Sequence, residues 1–388
     1  MKVCVMCGGL GTRLRPLTLE RPKPMIPLLN KPSVTHLIEQ LKAEGFKEIV
    51  LTLGYLAEMI EDAVNKIEGV DVTCVYEESA LGTAGGVKNA RAQIEDDVFM
   101  VVGGDHVLDL RLDEIYRFHK QNDAMVTIGL ICIDDPSEYG VCDMDARNRI
   151  HRFLEKPGPG EAFSNLINTG VYVCNPEILD WIPEGEMYDF AKDVFPALLN
   201  AGEKIDGFLV QGNWTDIGNH TMYRTACKWK LDGMTAGAGG AGAGTPTNTH
   251  GSSGAGARIK DPVMVGKDTV IGSSMIVGPV MIGENTTIGD EVLIGPHTTI
   301  GSNCVIEDGA HILTSYIFDD VRVGAGSLIC SSILDNGSQV CENCSLETGT
   351  VLGSRSVVQD DAILSGVRIW HDKIIARGAR VENNMLDQ

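Results

Sequence analysis

The sequence predicts an α/β domain with a mostly parallel sheet, followed by a parallel β-helix. Three observations lead there. Short apolar runs alternate with amphipathic segments through residue 232. A stretch rich in Gly, Ala, Ser and Thr then covers 233–257, and from 258 to 388 aliphatic residues recur at about every sixth position.

The α/β reading begins at Lys2–Met6, a short apolar run that stops at glycines and reads as a strand. Glu48–Leu53 repeats that pattern, and an amphipathic segment from Val34 to Glu44 lies between them. Ser33 is placed to cap that helix and Gly45 to end it. Further strands are expected at Val72–Tyr76, Val98–Val102, Ala124–Ile133 and Val171–Cys174. Strands alternating with helices imply a mostly parallel sheet covered by helices, and ligands of such sheets lie beyond the strands' carboxyl ends.

Residues 233–257 offer almost nothing that forms a core and read as a flexible linker. Beyond them Val265, Ile271, Val277, Ile282, Ile288, Ile294 and Ile300 keep a six-residue period with one five-residue slip, and each is followed by Gly. The register continues to Leu364. Such a period stacks each aliphatic side chain on its equivalents in neighbouring coils. The pattern resembles the left-handed hexapeptide-repeat family, which implies three short strands per coil and about six coils.

Composition excludes several classes. Of the 388 residues, 43% are hydrophobic and 22% charged, as in an ordinary globular protein. The net charge of -21 argues against nucleic acid or an anionic membrane as partner. No apolar stretch approaches the roughly 20 residues that span a bilayer, and no signal peptide opens the chain. The eleven cysteines, scattered through expected strands, fit a reducing, cytoplasmic location. Cys341 and Cys344 form a lone CxxC with no second ligand pair, and read as residues of the repeat rather than a zinc site.

The first strand runs into Gly8-Gly9-Leu10-Gly11-Thr12-Arg13-Leu14-Arg15-Pro16-Leu17-Thr18, followed by Arg21-Pro22-Lys23-Pro24-Met25. Glycines directly after a strand let backbone N–H groups approach phosphates, and Arg13 and Lys23 supply positive charge on an acidic chain. No Gly-Lys-Ser/Thr follows, so the loop is not a Walker loop, and the third glycine of a dinucleotide fingerprint is missing.

The whole string resembles the signature of the sugar-1-phosphate nucleotidylyltransferases, whose catalytic domain is Rossmann-like. The likeness continues through Gly82-Thr83-Ala84-Gly85, Gly104-Asp105, Tyr139-Gly140-Val141, Glu155-Lys156-Pro157, Asn168-Thr169-Gly170 and Trp214-Thr215-Asp216-Ile217-Gly218. It implies a sugar-phosphate oxygen attacking the α-phosphorus of a nucleoside triphosphate, with pyrophosphate leaving. Asp105 and Asp216 would hold Mg²⁺, for which hard oxygen ligands are suited. Arg13 would grip the triphosphate, Lys23 would stabilise the reacting phosphorus, and Gly8, Gly9, Gly11, Thr12, Gly82 and Thr83 would line the nucleotide. Lys156 would hold the sugar phosphate, and Gly140, Glu155 and Asn168 would contact the sugar.

In thymidylyl- and uridylyl-transferring relatives a Gln stands five residues before the position of Gly82; here it is Glu77. An ionised carboxylate only accepts hydrogen bonds, and guanine presents two adjacent donors that match it. Glu77 with Gly-Thr-Ala-Gly, and the ending Val367-Arg368-Ile369-Trp370 with Lys373, resemble the mannose-1-phosphate guanylyltransferases. The expected reaction is therefore GTP with mannose 1-phosphate giving GDP-mannose, in a homo-oligomer assembled through the β-helix. The alternatives are a UTP- or dTTP-dependent glucose-1-phosphate enzyme, a bifunctional acetyltransferase using His297 or His311, and a noncatalytic nucleotide-sugar sensor.

Overall fold

The computed structural model describes residues 1–236, 252–253, 256–383 and 385–386. They form two compact units: Met1–Gly11, Arg21–Met25 and Pro32–Gly218 in the first, and Thr12–Glu20, Ile26–Lys31 and Asn219–Gln388 in the second. Most of the expected linker, 233–257, lies outside the described residues.

The first unit contains, in order, β1 (Lys2–Cys7), α1 (Ser33–Ala43), β2 (Glu48–Leu53), α2 (Ala57–Val64), β3 (Asp71–Tyr76), α3 (Gly82–Asn89), β4 (Phe99–Gly103) and β5 (His106–Leu110). It continues with α4 (Leu112–Gln121), β6 (Val126–Cys132), β7 (Gly140–Met144), β8 (Ile150–Glu155), β9 (Leu166–Cys174), α5 (Phe195–Ala201), β10 (Ile205–Leu209) and β11 (Gly212–Asp216). The main sheet runs β8-β7-β9-β4-β1-β2-β3, and β6 joins β9 to β10. Pairs β1–β2, β1–β4, β2–β3 and β6–β10 are parallel, whereas β9 runs antiparallel to β4, β6 and β7.

Continuous apolar strands follow from burial on both faces. Val3 and Val5 enter one core with Met100 and Val102, while Cys4 enters the opposite core with Phe99 and Val101. Helix α1 ends in a Schellman turn: Gly45, at φ +92, donates to Lys42 O at 3.0 Å and Phe46 donates to Leu41 O at 2.9 Å. Its start differs from expectation. Ser33 is already helical, Pro32 is the N-cap residue, and the Ser33 hydroxyl donates to Pro24 O at 2.9 Å.

Besides its two N-terminal pieces, the second unit contains α6 (His220–Ala236) and a left-handed β-helix built from three eight-stranded parallel sheets. Ile276, Ile294, Ile312, Ile329, Leu346 and Leu364 stack up one sheet and are fully buried. Asn285, Asn303, Asp320 and Asn343 turn corners at φ between +53 and +61, a conformation these side chains tolerate. Glycine is needed at Gly283, where a β-carbon would lie 2.6 Å from the Gly301 backbone of the next coil. Eight strands per sheet exceed the six coils expected, because pairing extends through Arg258–Lys260 and Arg380–Glu382, where the aliphatic-glycine signature is lost. Helix α6 packs on the β-helix through Tyr223, whose ring meets Tyr316 at 5.6 Å and Phe318 at 6.3 Å.

Candidate active site

The turn after β1 is walled by a carboxylate. A β-carbon on Gly8 would stand 2.9 Å from both Glu77 carboxylate oxygens, and one on Gly54 would stand 2.9 Å from Gly8 O. Glu77 is half-buried and accepts hydrogen bonds from the Leu81 N–H and the Thr52 hydroxyl. Burial raises its carboxyl above the ordinary glutamate value, against the pull of those two donors. Gly11, at φ +61, turns the chain out of the loop, and Gly9 is exposed beside it.

Two aspartates occupy neighbouring backbone positions at the end of a two-stranded sheet. Asp105 sits between β4 and β5, and β5 pairs antiparallel with β11 so that His106 faces Asp216. The Ile217 N–H then donates to Asp105 O at 3.0 Å, which closes the pairing beyond Asp216. The approach of β4 to β1 requires Gly104, whose β-carbon would lie 2.3 Å from Cys7 Sγ.

Lys23 makes an ion pair and hydrogen bond with Asp105 Oδ2. Burial alone would raise the Asp105 carboxyl, but Lys23 and His106 outweigh it and hold it at about 2. The His106 imidazole is lowered by burial, although Asp105 and Asp216 pull it upward. Its ring is fixed edge-on against Trp214 at 5.7 Å, and Trp214 is packed in turn against Tyr139 at 5.5 Å.

A second group of residues forms around β7 and β8. Gly140 pairs with Glu155, and a β-carbon at Gly140 would meet Phe153 Cζ at 2.6 Å and Glu155 Oε2 at 2.7 Å. Lys156 leaves the strand at φ +46, tied by its N–H to Tyr139 O at 3.1 Å. Asn168 is nearly buried, donating to the Tyr172 hydroxyl at 3.0 Å and accepting from the Gly170 N–H at 2.8 Å. Burial raises the Glu155 carboxyl, Lys156 and Lys192 lower it, and Asp189 raises it, so these charges share one neighbourhood.

Residues 2–232 match the family described as Nucleotidyl transferase, and 276–385 match the GMPPB C-terminal domain. The chain belongs to the nucleotidyl transferase family. It is 34% identical to the probable mannose-1-phosphate guanylyltransferase 2 of Arabidopsis thaliana over 97% of both chains. It is also 34% identical to a UTP–glucose-1-phosphate uridylyltransferase of Synechocystis, covering 86% of this chain and 87% of that one. Among solved structures, HddC from Yersinia pseudotuberculosis complexed with GMP-PN superposes with a TM-score of 0.51 at 31% identity, over 59% of this chain and 99% of HddC.

Nucleotidyltransferases of this family generally use a divalent metal. The residues present fit one: two carboxylates are brought to neighbouring positions by strand register, and Asp105 is held ionised. Among the described residues no group of three or more His, Cys, Asp or Glu side chains is placed to hold a metal, and all eleven cysteines are free thiols. Cys344 points into the β-helix, its Sγ donating to Gln359 O at 3.2 Å.

The other expected residues of the nucleotidyltransferase are placed differently. Thr12 and Arg13 belong to the second unit and are exposed, in the single turn Thr12–Leu14. Gly82 and Thr83 start α3, but the first-turn N–H groups there are already satisfied. Thr83 donates to Asp189 at 3.2 Å, and Ala84 and Gly85 donate to Tyr188 O at 2.9 and 3.0 Å. His311 is exposed, and His297 is paired with Asp232 at 2.6 Å. His106 and Lys192 had no sequence signal, since only the folded pairing brings them beside Asp216 and Glu155. A separate cleft of about 610 Å³, lined by Asp96, Asp97, Asp123, Glu177 and Lys204 among others, holds none of these residues and is too acidic for phosphate. No described helix is long and apolar enough to cross a membrane.

Proposed function

We propose that the protein makes GDP-mannose and pyrophosphate from GTP and mannose 1-phosphate. The observation that carries this reading is Glu77, whose carboxylate sits at the glycine turn rather than in solvent and presents only acceptors to a base. In the reaction a sugar-phosphate oxygen bonds to the α-phosphorus as the bond from that phosphorus to the bridging oxygen of the β-phosphate breaks, and pyrophosphate takes the electron pair. Mg²⁺ bound by Asp105 and Asp216 would supply positive charge at the α-phosphate.

This chain's own residues do the rest. Lys23 leaves its ion pair with Asp105 for the reacting phosphate, Arg13 holds the triphosphate, and Gly8, Gly9, Gly11 and Thr12 let the backbone approach it. Gly82 and Thr83 support the base pocket by fixing the Tyr188–Asp189 segment. Lys156 receives the sugar phosphate, while Glu155, Asn168 and Gly140 shape the sugar pocket. No protein nucleophile is required.

The test is pyrophosphate release measured with GTP, UTP, dTTP and ATP against mannose and glucose 1-phosphates. GTP with mannose 1-phosphate should lead, and Asp105→Ala should lower that rate on the order of a thousandfold. A preference for UTP with glucose 1-phosphate would replace the reading with the uridylyl one, which the Synechocystis relative supports. We also propose a cytoplasmic homo-oligomer: eleven free thiols suit a reducing compartment, and the β-helix exposes Val270, Met275, Val305, Leu328 and Ile374. Light scattering of the purified chain checks the assembly.

A further inference from the structure

We infer that Glu20, clamped by Arg355 and His371 of the β-helix, is a positioning residue that sets the Arg13 turn for the triphosphate. This rests on the proposed role of Arg13. The segment Thr12–Glu20 belongs to the same compact unit as the β-helix, and its backbone is tied there at several points. The Leu14 carbonyl is bonded to His220 Nε2 at 3.1 Å, and the Pro16 carbonyl to His371 Nε2 at 3.0 Å. Leu14 and Leu17, which follow Arg13, are fully buried, so the turn that carries Arg13 is anchored on its C-terminal side.

Glu20 closes the segment. Both of its oxygens are engaged by Arg355, at 2.8 Å to Nη1 and 2.6 Å to Nη2, and His371 Nδ1 approaches Oε1 at 3.3 Å. Asp372 holds the other edge of the guanidinium, at 2.7 Å from Nε and 2.9 Å from Nη2. Arg355 and Asp372 occupy equivalent corners of adjacent coils, at φ +59 each, and their N–H groups donate to Asn336 O and Ser354 O at 3.0 Å. Gly353 leaves room for the imidazole, since a β-carbon there would lie 2.5 Å from His371 Cδ2. The clamp is therefore built on rigid backbone, and bidentate geometry of this kind fixes direction as well as distance.

The experiment uses the full-length chain with Glu20→Gln, Arg355→Met and Arg355→Lys, alone and combined with Arg13→Ala. Initial rates give KM for GTP and for mannose 1-phosphate separately, and the melting temperature of each variant is recorded. The inference expects Glu20→Gln and Arg355→Met to raise KM for GTP about threefold to tenfold, the range of a networked, partly exposed ion pair. KM for mannose 1-phosphate should stay within about twofold on the same scale, Arg355→Lys should recover part of the loss, and adding Glu20→Gln to Arg13→Ala should cost nothing further. Equal changes in both KM values, or additive effects, would overturn it in favour of a purely structural tether. An Arg13→Ala chain with unchanged KM for GTP would remove the role of Arg13 and the inference together. A raised KM in Arg13→Ala with none in Glu20→Gln would remove the inference alone.

Discussion

Gly86 in α3 stands against Glu77, so close that a β-carbon there would lie 2.6 Å from Glu77 Oε1. With Gly8 on its other side, the carboxylate has a slot of fixed width. Gly86→Ala should push Glu77 out of that slot. The expected result is a loss of selectivity for GTP over UTP in competition assays, larger than that caused by Thr52→Val, which removes one hydrogen bond but leaves the slot open.

Glu77→Gln tests the acceptor itself. An amide presents a donor where guanine also presents one, so kcat/KM for GTP should fall by about tenfold to a hundredfold while that for UTP holds or rises. Because burial raises the Glu77 carboxyl, its ionised form, the one that accepts guanine's donors, is gained only above the ordinary glutamate value of about 4.3. KM for GTP in the unmodified protein should therefore fall as pH rises through the mildly acidic range, and this dependence should vanish in Glu77→Gln.

Lys23 and Asp105 make a stability prediction with a definite sign. The folded carboxyl lies at about 2, below its unfolded value, so the pair stabilises above pH ~4 and loses that contribution as pH falls toward 2. In Lys23→Met the burial of Asp105 has lost its main counterweight, and the charged carboxylate becomes a penalty. Urea unfolding should show the variant weaker than the unmodified chain at pH 7, with the gap narrowing as pH falls through the acidic range, where Asp105 of the variant protonates before that of the unmodified chain.

At Gly140 the space for a side chain is occupied by Phe153 and Glu155. Gly140→Ala should destabilise the first unit by about 1–3 kcal/mol, measured by chemical denaturation. Displacement of Glu155 should also raise KM for the sugar phosphate more than KM for GTP, which separates a local effect from general loss of fold.

In the β-helix, Ile317 is fully buried and stacks between Ile300 and Leu334. Ile317→Ala should cost about 2–5 kcal/mol in thermal or urea unfolding. His311→Ala, on the exposed outer surface, should leave both stability and nucleotidyl transfer unchanged, as expected of a histidine outside the chemistry.

Periodic burial explains what the sequence made legible. β2 was readable at its full length, and β1 to within a residue, because parallel strands covered on both faces must be apolar throughout. The stacking column of the β-helix was readable because every coil repeats the same inward position. The short pairing of His106–Leu110 with Gly212–Asp216 was not, since its partners lie far apart in the chain and neither has a periodic pattern. Ser33 was misread as a cap because nothing local tells that its hydroxyl is claimed by Pro24 O. At the site, the resemblance to the sugar-1-phosphate nucleotidylyltransferase signature named Lys23, Asp105 and Asp216, but only the fold reveals the Lys23–Asp105 pair and the enclosure of Glu77 by two glycines.

Between Gly11 and Pro32 the chain changes compact unit four times, at 11/12, 20/21, 25/26 and 31/32. A chimera that exchanged only the solenoid with that of a homologue would set Leu14, Leu17, Ile26 and Leu28, all fully buried, against foreign neighbours. Recombination that respects this protein has to carry two N-terminal pieces, one of them inside its signature, along with its C-terminal half. Substitutions in those pieces are then constrained by the solenoid as well as by any chemistry they perform.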